Sequence, residues 1–301
     1  MQDIPKVLKI KKVIVETPFV KTFVFDYKLG ARPGQFVNLW LPMVDEKPMS
    51  VAYCDNKEFW VTMFAVGPFS KKMHTLKVGD LVGVRGPYGH GFSFEPRRRL
   101  LMVAGGYGAA PLYFLAHEAA KKGCKIDFVI GARSSEHLLF ISRLKKLPNL
   151  RLHITTDDGS VGLKGYNTLV LEKLLKEMSS VGTKRGRDNV LVKNIMQARR
   201  VQNAQIDCVY TCGPELMMKK VSDMCWEAKV PAQISIERYM KCGFGVCGQC
   251  VVDESGIRMC KEGPVLSNDV ARKIAEFGKY HRDSVGNIHS LKLPPSSKLG
   301  I

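Results

Sequence analysis

Four cysteines near the carboxyl end constrain the structure most, because together they can bind one small metal centre. They are separated by four, two and nine residues, and they are Cys242, Cys247, Cys250 and Cys260. A gap of four followed by a gap of two is the plant-type 2Fe–2S pattern. Gly243, Gly245 and Gly248 allow the loop to turn tightly, with backbone N–H groups directed at cluster sulfurs. The spacing therefore predicts one 2Fe–2S cluster in this segment.

Other metal centres fit this segment less well. Zinc ribbons and knuckles favour two Cys-x-x-Cys or Cys/His pairs, and the loop contains one such pair, Cys247 and Cys250. No histidine lies near the loop, which excludes a Rieske centre. A structural zinc site, or a chance grouping of cysteines, is the alternative to the iron–sulfur cluster.

The rest of the composition predicts a soluble, cytoplasmic protein with a basic surface. The 301 residues include 46 Lys and Arg against 28 Asp and Glu, a formal charge of +18. The basic residues are spread along the chain without a recognisable nucleic-acid motif, so we expect an acidic protein partner and no nucleic acid. No run of eighteen apolar residues and no signal-peptide pattern occurs, so we expect no membrane association. The cysteines outside the loop are expected to be reduced thiols.

Residues 1–96 are predicted to form an antiparallel β-barrel. Short runs rich in Val, Phe, Trp and Thr are separated by Pro-Gly, Asn-Lys and Gly-Asp turn signals. The predicted strands are residues 7–16, 19–27, 35–41, 49–53, 59–66 and 80–85. Strands of this number and spacing favour a closed barrel over an open sheet.

Residues 97–234 are predicted to form a doubly wound parallel sheet, because short apolar strands alternate with helical stretches. The predicted strands are residues 100–104, 126–130, 150–155, 208–211 and 232–236, and the predicted helices are 109–122, 136–146, 168–178 and 214–228. In such sheets ligands bind beyond the carboxyl ends of the strands. Three predicted strands end there in glycine-containing turns that can receive phosphate groups. The candidate nucleotide-binding residues in these turns are Gly105, Gly106, Gly108, Asp157, Cys212, Gly213 and Pro214.

Three further segments complete the chain. Residues 235–267 are predicted to form the cluster-binding subdomain, entered directly from the last parallel strand. Residues 181–205 are interpreted as a basic surface insertion, in which Leu191, Ile195 and Ala198 share one face of a predicted short amphipathic helix. The tail, residues 268–301, begins with a helix-like pattern and is expected to pack loosely or to be disordered in isolation.

The sequence contains no catalytic constellation of the Ser/His/Asp, Cys/His or paired-carboxylate kind. His90 is isolated and is interpreted as a surface or turn residue. In the barrel, Lys47 beside Pro48 can place a cation on a phosphate, and the Ser50 hydroxyl can face a flat ring, although each residue is also compatible with an ordinary barrel turn. We therefore predict electron transfer and no catalytic residues in this chain.

The ordered set of motifs resembles the ferredoxin reductase-like flavoproteins, which have a flavin barrel first and a pyridine-nucleotide domain second. More closely, it resembles the electron-transfer subunits of dihydroorotate dehydrogenase B, which carry a 2Fe–2S loop after the nucleotide domain. The resemblance covers roughly residues 5–265. Its motifs are PGQF at 33–36, KPMS at 47–50, GPYGHGF at 86–92, GGYG at 105–108, TDDG at 156–159, CGP at 212–214, and SIE at 235–237 followed by the four-cysteine segment.

The resemblance implies an electron relay in pyrimidine (UMP) biosynthesis. A partner subunit with FMN oxidises dihydroorotate to orotate, and electrons pass through the 2Fe–2S cluster and FAD of this chain to NAD. FAD links the cluster to NAD because it accepts electrons singly from the cluster and delivers them in pairs to NAD. The implied assembly is a heterotetramer with two copies of each subunit. The alternative is a gamma-type FAD/2Fe–2S subunit of a sulfide dehydrogenase, hydrogenase or NADPH:ferredoxin oxidoreductase.

The resemblance also implies which barrel residues bind FAD. They are Lys47, Pro48, Met49, Ser50, Met63, Phe64, Ala65, Gly67, Phe69 and Ser70. Lys47 stands where the family has Arg, so a compact ammonium replaces the planar, two-pronged guanidinium at the phosphate. Phe69 stands where the family has a glycine, and Ser70 keeps a hydroxyl where the family has Thr.

Overall fold

A computed structural model of the chain describes residues 4–183 and 205–291. It contains a closed barrel, a seven-stranded sheet flanked by helices, and a carboxyl-terminal segment that holds the four cysteines. Within the described residues, no helix is both long enough and apolar enough to cross a membrane. The helix predicted around Leu191, Ile195 and Ala198 lies outside the described residues, as do residues 292–301 of the tail.

The first sheet is a closed barrel, as the sequence predicts, and its strand order is β1-β2-β5-β4-β3-β6. Its strands are β1 (Lys6–Thr17), β2 (Val20–Phe25), β3 (Phe36–Leu41), β4 (Asp45–Cys54), β5 (Phe59–Phe64) and β6 (Leu81–Tyr88). All neighbouring strands are antiparallel. Buried and half-buried residues alternate along β5, which places every second side chain inside the barrel. Phe23, Phe25 and Phe59 are fully enclosed there, and each contributes about 1.5–3 kcal/mol of burial free energy.

The second sheet has the order β10-β9-β8-β7-β11-β12-β13, and its neighbours from β10 to β12 are parallel. Its strands are β7 (Arg99–Gly105), β8 (Lys125–Ala132), β9 (Leu150–Thr156), β10 (Leu163–Lys164), β11 (Cys208–Cys212), β12 (Ala232–Ser235) and β13 (Val265–Ser267). The central strand β7 is buried on both faces, which explains its continuous apolar run. The edge strands β10 and β13 are not predicted, because they are too short to show a periodic pattern.

Helices cover both faces of the second sheet, so the prediction of a doubly wound sheet is confirmed. The described helices are α1 (Pro68–Thr75), α2 (Ala109–Lys121), α3 (Ile141–Leu144), α4 (Asn167–Thr183), α5 (Glu215–Glu227) and α6 (Asn268–Ala271). On one face, α2 shares a hydrophobic core with Met102 and with Ala52 of the barrel. On the other face, Leu171 of α4 and Val221 of α5 share a core with Val103. Helix α2 therefore joins the barrel to the sheet.

The helix predicted for residues 136–146 is wrong. These residues contain a 3-10 turn at Ser135–His137 and the short helix α3. Between them Phe140 adopts a left-handed conformation with φ of 59°, which ends any regular helix. The Phe140 ring is buried and stacks on Tyr113 with centroids 4.9 Å apart. Packing against α2 therefore overrides the local helical pattern.

Two boundaries near the predicted flavin motifs also differ from the prediction. Strand β4 begins at Asp45 and not at residue 49, so residues 47–50 lie in a strand paired with β3 and not in a turn. After β5 the chain forms α1, where the sequence predicts no helix. Pro68 suits the first turn of this helix, because its missing N–H has no intrahelical partner there.

The prediction of a loosely packed tail is wrong for residues 268–277. Helix α6 follows β13 directly, and Ile274 and Phe277 share a hydrophobic core with residues of the cysteine segment. A hairpin of β14 (Tyr280–Arg282) and β15 (Ile288–Ser290) comes next. It is attached to the cysteine segment through Asp253, which accepts hydrogen bonds from Tyr280 Oη at 2.9 Å and Arg282 Nη2 at 2.8 Å. The described part of the tail therefore packs against the cysteine segment and is hydrogen-bonded to it.

Candidate cofactor sites

The four cysteines of the carboxyl-terminal segment approach each other as two pairs. The thiols of Cys242 and Cys247 are close enough to interact, and the backbone N–H of Val246 donates to Cys242 Sγ at 3.4 Å. In the second pair, the N–H of Cys260 donates to Cys250 Sγ at 3.4 Å. Backbone N–H groups directed at sulfur favour the thiolate form and adjust the reduction potential of a cluster.

This arrangement suits a binuclear cluster better than a single metal ion. Among the described residues, no three His, Cys, Asp or Glu side chains surround one point closely enough for one ion. A zinc site needs four ligands around one centre, whereas the two irons of a 2Fe–2S cluster are each held by two thiolates. The pairs Cys242–Cys247 and Cys250–Cys260 match that second requirement, so the donor set fits the cluster.

The two cysteine pairs differ in burial. Cys247 is exposed and Cys242 half-buried, whereas Cys250 and Cys260 are buried. Desolvation opposes the charge on Cys242, but hydrogen bonds from backbone N–H groups outweigh it and lower the pKa of this thiol to about 6. Burial, together with the Cys250 thiol, raises the pKa of Cys260 to about 12. The first pair is therefore the solvent-facing edge of the site.

The cysteine loop packs on the outer face of the barrel. Gly243 has φ of 86°, and a Cβ there would lie 2.7 Å from the Tyr88 ring, so only glycine fits. The Phe244 ring lies 6.4 Å from that of Tyr88, and the Arg85 guanidinium lies 5.9 Å from both ring centroids. Arg85 also donates two hydrogen bonds to Glu46, at 2.6 and 2.7 Å. These contacts fix the loop to β6.

The predicted flavin residues 47–50 lie on β4, beside this contact. Each pairs with a residue of β3, with Lys47 opposite Leu39 and Ser50 opposite Phe36. Lys47 Nζ lies 2.7 Å from Asp45 Oδ2 and donates to Tyr239 Oη at 3.4 Å. Burial opposes the charge on Lys47, but these partners outweigh it and raise the pKa of the ammonium. The structure thus brings the flavin motif close to the segment that precedes Cys242.

The predicted residues Gly67, Phe69 and Ser70 form the first turn of α1. The Phe69 side chain, which stands where the family has a glycine, is buried in the barrel core. Ser70 Oγ accepts hydrogen bonds from the N–H groups of Val66 and Gly67, both at 3.0 Å. A Cβ on Gly67 would meet no atom within 4 Å, so space for a ligand exists beside this helix start.

Residues Met63, Phe64 and Ala65 end β5 next to α1. Met63 is buried in the barrel, and the Ala65 N–H donates to the Phe19 carbonyl at 3.2 Å. The Phe64 ring stacks on Phe19 with centroids 5.8 Å apart, and Phe19 stacks on His137 at 5.2 Å. This aromatic stack runs from the barrel to the loop after β8.

The predicted nucleotide residues at the ends of β7 and β11 contact each other. A Cβ on Gly108 would lie 2.1 Å from the Cys212 carbonyl oxygen, and one on Gly213 would lie 2.7 Å from the Gly105 carbonyl oxygen. These two turns therefore require glycine in order to approach so closely. Beside Gly106 a Cβ would meet no atom within 4 Å, which leaves its backbone accessible to a ligand. The donor-rich, open turn before α2 fits a pyrophosphate.

Asp157 lies at the same edge of the sheet but directly after β9, which is separated from β7 by β8. Its backbone N–H donates to the Ala132 carbonyl at 3.0 Å. Burial raises the pKa of its carboxyl, although the nearby Arg133 opposes that shift. The structure therefore places Asp157 on the nucleotide edge, two strands from the paired glycine turns.

Tyr107 and Glu237 form a hydrogen bond at this edge, although neither is in the predicted site. The negative charge of Glu237 is the main reason why the pKa of Tyr107 is raised. Glu237 is exposed to solvent, and partial desolvation of its carboxyl raises the pKa to about 7. Burial likewise raises the pKa of the nearby Cys212 thiol. The carboxylate and phenol thus lie next to the glycine turns.

A buried ion network joins the nucleotide domain, the cysteine segment and the tail. The Arg238 guanidinium lies 2.8 Å from Glu215 Oε2 at the start of α5 and 2.9 Å from Glu276 Oε1 of the tail. The three side chains are 4%, 11% and 2% exposed. Burial opposes the charge on Arg238, but the two carboxylates raise its pKa overall.

Sequence reasoning misses most of these polar contacts. Tyr107 and Glu237 occur in the quoted motifs but carry no prediction, and Tyr239, Arg238 and Asn38 are absent from the predicted site. An arginine directly after a strand and shortly before the cysteines is the one local signal that could have indicated Arg238. The other partners lie too far apart in sequence to be paired without a structure.

Two family models match the chain. One, described as the iron-sulfur cluster binding domain of dihydroorotate dehydrogenase B, matches residues 237–270. The other, described as an oxidoreductase NAD-binding domain, matches residues 102–223. The first includes all four cysteines, and the second includes the glycine turns after β7 and β11.

Two relatives are named as probable dihydroorotate dehydrogenase B (NAD(+)) electron transfer subunits. The protein of Methanocaldococcus jannaschii is 46% identical, and that of Methanothermobacter thermautotrophicus is 41% identical. Each alignment covers 94% of this chain and 97% of the relative. The chain belongs to the family of dihydroorotate dehydrogenase B electron transfer subunits. The resemblance seen in the sequence motifs is therefore confirmed.

Solved structures agree with this family assignment. A structure of an NADH-dependent reduced ferredoxin-NADP oxidoreductase has a TM-score of 0.71 and 27% identity, and the match covers 88% of this chain and 89% of that one. The FAD/NAD binding domain of a Vibrio cholerae nitric oxide dioxygenase shares the fold, with a TM-score of 0.58 and 19% identity over 75% of this chain and 94% of that one. The dihydroorotate dehydrogenase B family thus combines this reductase fold with a cluster-binding segment.

Proposed function

We propose that this chain passes electrons from dihydroorotate, oxidised on an FMN-containing catalytic subunit, through a 2Fe–2S cluster and FAD to NAD. The observation that carries this proposal is the packing of the paired cysteines against the barrel face that bears the flavin motif. Family membership supports the substrate, and the NAD-binding domain supports the acceptor. FAD exchanges single electrons with the cluster and electron pairs with the nicotinamide.

Cys242, Cys247, Cys250 and Cys260 bind the cluster. Their arrangement as two pairs supports this role, because each iron needs two thiolates. The N–H groups of Val246 and Cys260 donate to cluster-ligand sulfurs, which stabilises negative charge there. The buried pair anchors the cluster in the protein, and the exposed pair faces the donor.

FAD binds along β4 and the start of α1. Lys47 neutralises a phosphate, while Pro48, Met49 and Ser50 lie along the flavin. Gly67, Phe69 and Ser70 offer the amino end of α1 to the pyrophosphate, since the first N–H groups of a helix have no partner within it. Met63, Phe64 and Ala65 form the adjoining wall. The open space beside Gly67 and the pairing of Lys47 with only one carboxylate support these assignments.

NAD binds at the carboxyl ends of the parallel strands. Gly105, Gly106 and Gly108 give its phosphates access to backbone N–H groups before α2. Cys212, Gly213 and Pro214 form the opposite wall, and Asp157 lies further along the same edge. The close contact between the two glycine turns and the open space beside Gly106 support this site.

The catalytic partner binds near the solvent-facing cysteine pair. Phe244 and Val246 are exposed on either side of Gly245, at 38% and 78%, and Cys247 is exposed as well. Two copies of each subunit form the assembly, which is cytoplasmic. The runner-up, a gamma-type subunit of another oxidoreductase, has weaker support, because the ferredoxin-NADP oxidoreductase is 27% identical and the named relatives are more than 40% identical.

The test is to purify the full chain anaerobically and determine its cofactors. We expect about two iron atoms per chain, the stoichiometry of a 2Fe–2S cluster. Heat should release FAD, and NADH should bleach the flavin in the holoprotein. Zinc without iron would contradict the cluster assignment, and recovery of FMN alone would contradict the flavin assignment.

A further inference from the structure

Asn38 is a buried amide at the contact between barrel and cysteine loop. It lies on β3 and is 1% exposed. Its Nδ2 donates a hydrogen bond of 2.8 Å to the carbonyl oxygen of Lys241, the residue before Cys242. Among the described residues, its Oδ1 has no hydrogen-bond partner.

The position of Asn38 lies between the two proposed cofactor sites. In the barrel it pairs with Pro48 of the flavin motif on one side and with Arg85 on the other. Two residues along β3, Phe36 pairs with Ser50 and contacts Tyr88, on which Gly243 of the cysteine loop rests. The Asn38 amide is therefore a direct polar link from the flavin-bearing face to the backbone of the first cluster ligand.

Stability alone does not explain an asparagine here. A buried acceptor without a partner costs at least as much free energy as one typical hydrogen bond contributes. Replacing such an amide by an apolar side chain of similar volume can be neutral or stabilising. The gain from Asn38 is instead geometric, because its donor fixes the Lys241–Cys242 peptide relative to β3.

We propose that Asn38 is a positioning residue for electron transfer between the flavin and the cluster. The inference rests on the proposed function and adds a residue to it. Each transfer moves one electron from the reduced cluster to the flavin, and two transfers with one proton complete its reduction. The reverse passage, from NADH to the cluster, uses the same contact. Tunnelling depends steeply on separation, so loosening the Lys241–Cys242 peptide slows transfer.

The experiment uses the full-length holoprotein and the variants Asn38→Leu and Asn38→Asp. Both remove the N–H donor, and Asp keeps the shape of the side chain. The control is Asn268→Leu, which removes a buried amide bonded to Ser222 on α5, away from the barrel. After rapid anaerobic mixing with NADH, flavin bleaching and the cluster EPR signal are followed separately. The EPR spectrum of the dithionite-reduced cluster is recorded as a readout that is independent of turnover.

In both Asn38 variants we expect cluster reduction to slow by about tenfold, the effect of roughly 1.4 kcal/mol on a barrier. Flavin bleaching, iron content and FAD content should match those of the wild type. The EPR line shape should shift, because hydrogen bonds to the Cys242 sulfur change with the peptide. Asn268→Leu should alter unfolding but neither the cluster rate nor the spectrum.

Wild-type rates and spectra in both Asn38 variants would overturn the proposal. Equal slowing in Asn268→Leu would also overturn it, since general loosening would then explain the effect. If NADH bleaches the flavin of the wild type but never reduces its cluster, the proposed relay itself fails, and Asn38 has no transfer to position.

Discussion

At the amino ends of the parallel strands the carboxylate of Asp127 is paired with two arginines and a histidine, whereas at the carboxyl ends desolvation dominates at Glu237. Asp127 lies 2.9 Å from Arg99 Nη2, 2.8 Å from Arg151 Nε and 3.0 Å from His153 Nε2. Burial opposes the ionisation of Asp127, but these hydrogen bonds hold the pKa of its carboxyl well below the usual range. The pKa of Glu237 is shifted in the opposite direction, because desolvation outweighs the stabilisation of its carboxylate by Tyr107 and Arg238.

This difference indicates that the amino ends of the strands serve the stability of the sheet, whereas their carboxyl ends serve its function. A carboxylate that accepts hydrogen bonds from two arginines and a histidine is stabilised in its ionised form in the folded protein, so Asp127 serves the fold. Carboxyl groups with raised pKa values contribute unfavourably at neutral pH, and such groups cluster at binding and catalytic sites. Glu237 lies beside the glycine turns, in the segment leading to the cluster, and Asp157 lies along the same edge two strands away.

The largest effect on function is expected for a substitution in the cysteine segment, which follows the carboxyl end of the last parallel strand. Cys250→Ser removes a buried ligand and should abolish electron transfer through the cluster. NADH oxidation with an artificial acceptor should persist, because FAD is its entry point. Iron analysis, EPR and an NADH–dye assay check this. Loss of the NADH–dye activity would show that the cluster also holds the flavin region together.

At the amino end, Asp127→Asn should lower the free energy of unfolding by about 3 kcal/mol, because the largely buried Arg99 guanidinium loses its counter-charge. The folded pKa of Asp127 is depressed, so its contribution is full above about pH 4 and is lost as the pH falls below that value. Urea unfolding at pH 7 and pH 3 measures both. The control Asp26→Asn removes an exposed partner of Lys11 and should change little. Weaker NADH binding in Asp127→Asn would contradict a purely structural role for Asp127.

On the functional side, Lys47→Ala should weaken FAD retention by about tenfold, the lower part of the range for a charged hydrogen bond. The effect is limited because Lys47 already pairs with Asp45 and approaches Tyr239. Equilibrium dialysis of the flavin measures it, with Lys57→Ala as an exposed control. Unchanged FAD affinity would remove Lys47 from the flavin site.

The smallest effect is expected for Glu237→Gln, and its pH dependence has the opposite sign to that of Asp127. The carboxyl pKa is raised from 4.5 to about 7, so the folded protein holds a proton that the unfolded chain releases. Wild-type stability should fall relative to the Gln variant as the pH rises through this window. Thermal unfolding at pH 4 and pH 8 tests this. Equal differences at the two pH values would contradict the burial of this carboxyl.

Sequence patterns predict the parts of this molecule that depend on local information. The cysteine spacing indicates the cluster because thiolates are specific ligands, and the apolar runs of β7 and β8 indicate buried parallel strands. The links that orient the sites are not predictable in this way. Asn38 and Lys241, or Arg238 and Glu276, meet only after the chain has folded. Phe140 ends a predicted helix for the same reason, since its partner Tyr113 is on α2.

The most direct test is anaerobic stopped-flow of this subunit reconstituted with an FMN-bearing dihydroorotate dehydrogenase subunit. After dihydroorotate is added, the account predicts that FAD in this chain is reduced when the cluster is intact. In the pair containing Cys250→Ser, the partner's FMN should still be reduced while FAD stays oxidised. Equally fast FAD reduction in that variant would contradict the relay order. FAD that stays oxidised with an intact cluster would contradict dihydroorotate as the electron source.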